Sequence, residues 1–143
     1  MFTHFGLREN GFLRVLGSLE LSIMEAMWSA GQPVTIRDVC DALAHTEKPP
    51  AFTTVMTVMN RLALKGLLAR TGSRKRYQFS ASVSKAELQA RVSQSVVQEI
   101  LADFGPIAVT HFVEAVSSDP GKLLLLESLL GKREQVEQNG GKP

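Results

Sequence analysis

From Lys48 through Ala86 the chain carries no acidic residue, yet it holds eight of the sixteen Lys and Arg side chains. All fourteen acids lie outside this window, six before it and eight after. The formal charge of +2 therefore hides a basic middle between two acidic ends. Within the window the pattern reads helix, turn, strand, basic tip, strand. A positive field confined to one stretch is what a phosphate backbone selects for. The order of elements predicts a winged helix-turn-helix, mainly α with one small β-hairpin.

Turn and cap residues divide the rest. Ser18 is placed as the N-cap of a first helix, "LELSIMEAMWSA", stopped by Gly31. "QPV" is a short link with room for one extended pair. Thr35 caps a short second helix, "IRDVCDALA", and "HTEKPP" is a turn. A third helix is expected over Ala51–Lys65, with Gly66 closing it. "LLART" and "RYQFSAS" read as strands joined by the tip "GSRK". Ser84 and Glu87 match a capping box. They open a long helix with Leu88, Val92, Val96, Ile100 and Phe104 at four-residue spacing. Gly105-Pro106 breaks it before "IAVTHFVEAV". Asp119-Pro120 then opens a last helix, "GKLLLLESLL". The expected domains are a flexible extension (1–16), a winged-helix domain (17–82), a helical arm (83–131) and a flexible tail (132–143). The arm's apolar stripes have little to pack on, which implies a partner, most simply a second copy of the chain. Leu88, Val92, Val96, Ile100, Phe104, Phe112, Val113, Val116, Leu123 and Leu126 are the expected dimerisation residues.

The third helix separates into two faces. Phe52, Val55, Met56, Val58, Met59, Leu62 and Ala63 share one arc of roughly 160°. Opposite lie Thr53, Thr54, Thr57, Asn60, Arg61 and Lys65. An ordinary solvated face uses good helix formers such as Glu, Lys and Gln. Three Thr and an Asn sacrifice propensity where packing does not demand it. Short hydroxyls and a carboxamide reach base edges, and a Thr methyl can touch the thymine methyl. The bland alternative is a merely solvated Thr-rich helix. The neighbouring tip Arg74-Lys75-Arg76 points instead to phosphate contact, although basic tips also serve to protect sheet edges. Tyr77 and Phe79 are expected to pack the wing onto the helices.

Other chemistry is poorly supported. The single Cys40 excludes a disulfide framework and fits a reducing, cytoplasmic setting. His4, His45 and His111 have no ligand-like spacing, so no metal and no cofactor is expected. No G-x-S-x-G, GxGxxG or P-loop occurs, and nothing suggests an enzyme. No apolar run approaches the roughly 20 residues that span a membrane, and the start does not read as a signal peptide. The residues leave two readings open: a sequence-specific binder of double-stranded DNA, or a winged-helix module that holds a protein or RNA without an operator.

Four segments resemble one family. "LELSIMEAMWS" looks like the opening helix of the penicillinase-repressor family, the BlaI/MecI-type winged-helix regulators. "AFTTVMTVMNRLALKGLLAR" is similar to that family's recognition helix and first wing strand, and "RKRYQFSA" to the second. "VTHFVEAV" resembles its short "FVE" helix. The resemblance runs from about Leu16 to Leu130. It implies a homodimeric repressor on a pseudo-palindromic operator, held together by the C-terminal helices. It also implies release by a membrane-bound sensor protease that responds to β-lactam and cuts in the arm. The bond before the family's Phe corresponds to His111–Phe112, with His standing where the founding members have Asn. The Cys pair of the copper-sensing branch is absent.

Overall fold

The computed structural model describes residues 11, 12 and 15–140. The chain forms two compact units, Met1–Ser95 and Val96–Pro143. In chain order the elements are α1 (Ser18–Ala30), α2 (Ile36–Ala42), α3 (Phe52–Leu64), β1 (Leu68–Thr71), β2 (Gln78–Ala81), α4 (Lys85–Phe104), α5 (Pro106–Ser117) and α6 (Pro120–Gly140).

Local chemistry sets the boundaries. Gly17, not Ser18, is the N-cap of α1, and its N–H donates to Glu20 Oε1 at 3.0 Å. The acid three residues into the helix does the capping, so the Ser hydroxyl is not needed. Gly31 ends α1 in the left-handed region at φ 62°. Thr35 and Asp38 cap α2 reciprocally: the Asp38 N–H donates to Thr35 Oγ1 at 3.1 Å and the Thr35 N–H to Asp38 Oδ2 at 2.9 Å. At the end of α3 the Leu67 N–H donates to the Leu62 carbonyl and the Gly66 N–H to that of Ala63, both at 3.0 Å. This is a Schellman motif, and it turns the chain directly into the wing.

The wing is an antiparallel pair with Leu68 opposite Ala81 and Arg70 opposite Phe79. Val34 adds an isolated bridge to Phe79 through reciprocal bonds of 2.8 and 2.9 Å. This is the extended pair for which the "QPV" link leaves room. Arg76 and Tyr77 fall outside β2. The Arg76 N–H donates to the Ser73 carbonyl at 2.8 Å, so a turn occupies the positions expected to be strand.

Phe79 is fully buried with Ile23, Met24, Val55, Met59 and Leu62, so the wing is anchored in the same core as α1 and α3. Burial at this depth makes truncation of such a side chain cost about 3–5 kcal/mol. Two expectations about the inner face of α3 fail. Phe52 and Met56 are 41% and 37% exposed; Val55 between them is fully buried, so the two sit on the flank of the buried face rather than at its centre.

The stretch expected to be a flexible extension contributes to the core. Phe12 and Leu16 are buried, and the Phe12 ring lies 5.5 Å from that of Trp28. Residues 1–10, 13 and 14 lie outside the described residues. Trp28 is only half-buried, and its Nε1 donates to the Val83 carbonyl at 2.9 Å. Cys40 is half-buried. The tail also differs from expectation, since α6 continues to Gly140. One Gly in a helix costs only about 1 kcal/mol. The "KREQVEQ" that follows Gly131 consists mostly of good helix formers, with Arg133 Nε 3.7 Å from Glu137 Oε1.

Candidate nucleic-acid interface

The polar face of α3 is open. Thr53, Thr54, Thr57 and Arg61 are exposed, while Asn60 is half-buried. Thr57 Oγ1 donates to the Thr53 carbonyl at 2.9 Å. Its hydroxyl proton is thereby used inside the helix, leaving the oxygen as an acceptor.

The fold brings Asn60 to the same groove as all three wing-tip cations, Arg74, Lys75 and Arg76. The groove has a volume of about 430 Å³, and Phe52, Met56 and Tyr77 form its apolar floor. No carboxylate lines it. The acid-free window of the sequence thus becomes an acid-free concavity between a helix and a hairpin. Arg37 of α2 joins the lining, its guanidinium carbon 5.2 Å from the Phe52 ring centroid. Arg37 lies outside the basic window and next to Asp38, so linear charge patterning gives no signal for it. Exposed Phe52 beside it is explained by the same stack.

Lys65 has a partner within the chain. Its Nζ lies 2.8 Å from Glu20 Oε2, which ties the end of α3 to α1. Partial burial pushes the Glu20 carboxyl up, but the Lys65 ammonium and the Gly17 N–H outweigh it and hold the group below its usual range. Lys65 is therefore a structural tie in this chain.

Three expected dimerisation residues are already covered. Leu88 and Val92 on the first turns of α4 are buried, as is Val116 on α5. Lys85 Nζ lies 3.0 Å from Glu25 Oε1, which with the Trp28–Val83 bond fixes the start of α4 to α1. Val96, Leu123 and Leu126 are half-buried. Ile100, Phe104, Phe112 and Val113 remain 40–63% exposed. His111 lies on the open side of α5, its Nδ1 3.5 Å from Glu114 Oε2. Among the described residues no group of three or more His, Cys, Asp or Glu side chains is placed to hold a metal ion. No helix there is long and apolar enough to cross a membrane.

The family model described as penicillinase repressor matches residues 16–132. The chain belongs to the penicillinase repressor family. It is similar to the transcriptional regulator BlaI of Mycobacterium tuberculosis, 34% identical over 111 residues that cover 76% of this chain and 79% of that one. An uncharacterised 16.5 kDa protein of Latilactobacillus sakei is 25% identical over 111 residues, covering 78% of this chain and 75% of its own length. A solved structure of Bordetella bronchiseptica BpsR, described as regulated in DNA binding by 6-hydroxynicotinic acid, covers 93% of this chain and 98% of its own. It aligns at 18% identity and a TM-score of 0.41, too low for any inference. Membership makes this chain a DNA-binding transcriptional repressor and not an enzyme.

Proposed function

We propose that this penicillinase repressor binds a pseudo-palindromic operator as a homodimer and controls β-lactam-response genes. Thr53, Thr54, Thr57 and Asn60 read base edges, while Arg61 and the wing tip hold phosphates. The observation that carries the reading is the carboxylate-free groove in which the wing cations meet Asn60 of α3. Neutral readers flanked by cations suit a duplex, where phosphate contacts set register and base contacts set sequence.

The dimer forms through the arm. Phe104 of α4, and Phe112 and Val113 of α5, are large apolar groups left open within one chain. Exposed groups of this kind favour a second copy. Induction proceeds by cleavage at His111–Phe112 by a membrane-bound sensor protease. The His111 side chain is 70% exposed. The bond sits in a 12-residue helix whose opening costs little, which supplies the extended backbone that proteolysis requires.

Footprinting of the region upstream of the repressor's own gene, repeated across salt concentrations, tests the operator. The expected result is a protected pair of half-sites about one helical turn apart, with affinity falling steeply as salt rises. Equal binding to unrelated duplexes would leave the protein-interaction or RNA-interaction reading. Co-expression with the candidate sensor and a β-lactam, followed by sequencing of the fragments, tests cleavage. An intact chain beside a derepressed gene rejects it.

A further inference from the structure

One arginine of the wing contacts two residues that line the proposed DNA-facing groove, Asn60 and Tyr77. Arg70 of β1 places its guanidinium carbon 4.2 Å from the Tyr77 ring centroid. From that stacked position its Nη1 donates to Asn60 Oδ1 at 2.8 Å. A guanidinium has donors and no acceptor. The carboxamide oxygen must therefore face Arg70, and the amide NH2 group must face away. Among the described residues that NH2 has no acceptor. Stacking on Tyr77 holds the guanidinium plane, so the donor is fixed before DNA arrives.

This orientation changes what Asn60 can read. An unrestrained Asn presents an acceptor and a donor side by side, which matches N6 and N7 of adenine. Here the acceptor side lies against a cation, and an incoming adenine N6 amino group would have to donate beside that charge. The free NH2 is polarised by the same cation and becomes a better donor. The edge that suits it carries acceptors only, as the O6 and N7 of guanine do. We propose that Arg70 is a positioning residue that locks the Asn60 carboxamide with its NH2 outward, so that Asn60 selects guanine over adenine in each half-site. The inference rests on the operator reading above.

The test is selection of preferred sites from a random duplex pool with the full-length chain. Four proteins are compared: wild type, Asn60→Ala, Arg70→Met and the double variant. Wild type should prefer guanine at one position of each half-site. Asn60→Ala should lose that preference by about tenfold while other positions hold. Arg70→Met should move the same position toward adenine, and the double variant should match Asn60→Ala there. Tyr77→Leu removes the stacking platform but keeps the donor, and should give a partial move. It serves as the second variant if Arg70→Met fails to fold. A guanine preference unchanged in Arg70→Met and Tyr77→Leu overturns the proposal. So does a uniform loss over all sequences with a smaller salt slope in Arg70→Met, which would make Arg70 a plain phosphate contact. Wild type that prefers adenine at that position, or Asn60→Ala that alters no position, overturns it equally. A wild type that enriches no sequence at all instead removes the operator reading on which the proposal rests.

Discussion

Thr57 and the wing-tip cations divide the labour of binding in a way single substitutions separate. Thr57→Ala should weaken specific binding by roughly 1–3 kcal/mol and leave non-specific binding nearly intact. Its side chain is exposed and bonded only to its own helix, so the melting temperature should barely move. Titration against operator and scrambled duplexes checks this. Arg74→Ala or Lys75→Ala should instead weaken all sequences alike and lower the log K against log salt slope by about one unit each. A slope identical to wild type would take the wing off the DNA. Glu20 gives a pH signature. Its folded carboxyl titrates below the ordinary value of 4.5. The pair with Lys65 therefore stabilises the fold above that pH and fades as pH falls through the folded value. Lys65→Met should lower stability by no more than about 1 kcal/mol at neutral pH. The difference should close in denaturant titrations on acidification. A gap that persists in acid would mean the lysine acts through packing.

At the scale of elements, the wing depends on one backbone position. Gly72 sits at φ 93°, and a Cβ there would run into the Arg76 carbonyl oxygen. Both strain and clash oppose any other residue, and the tip would have to reshape. Gly72→Ala should cost about 1–3 kcal/mol in unfolding free energy and weaken DNA binding beyond what stability explains. Hydrogen exchange across Leu68–Ala81 reads the change; unaltered protection there would show that the turn accommodates it. Apolar periodicity identified Val55, Val58, Met59 and Leu62 as the inner face of α3. It also placed Phe52 and Met56 inside, because a wheel gives the apolar arc but not how much of its width the core covers; Val55 between them is buried. Leu88 and Val92 fall to a partner only while the arm has nothing in view to pack on; α4 spends its first turns buried within its own chain.

For the whole molecule, that burial moves the expected cut between binding and assembly. The unit Met1–Ser95 holds α1–α3, the wing and the buried start of α4. A chain truncated after Ser95 should fold, remain monomeric in light scattering and bind the operator weakly. It would lose the high effective concentration that linkage gives a second half-site. A dimeric truncated form would place the interface in the winged helix. Truncation after Ser84 removes Leu88 and Val92 and should lower stability as well, since each buried aliphatic group is worth about 2–5 kcal/mol.

Element order, most glycine and proline boundaries and the basic window are legible in the linear chain. These depend on neighbours a few residues apart, where backbone chemistry and charge are read directly. The family, too, was legible in four ordered segments. What each side chain meets across the fold came from packing between distant segments. Phe12 could be seen as core only once Trp28 stood beside it. Lys65 gained a tie to α1 because Glu20, forty-five residues earlier, lies 2.8 Å away. Arg37 entered the groove because α2 packs against α3. Arg70 turned from one of eight like charges into the partner of Asn60 because the turn after α3 brings β1 back beside it. A one-dimensional pattern fixes which way a residue points from its own element. What lies there depends on contacts between segments far apart in the chain.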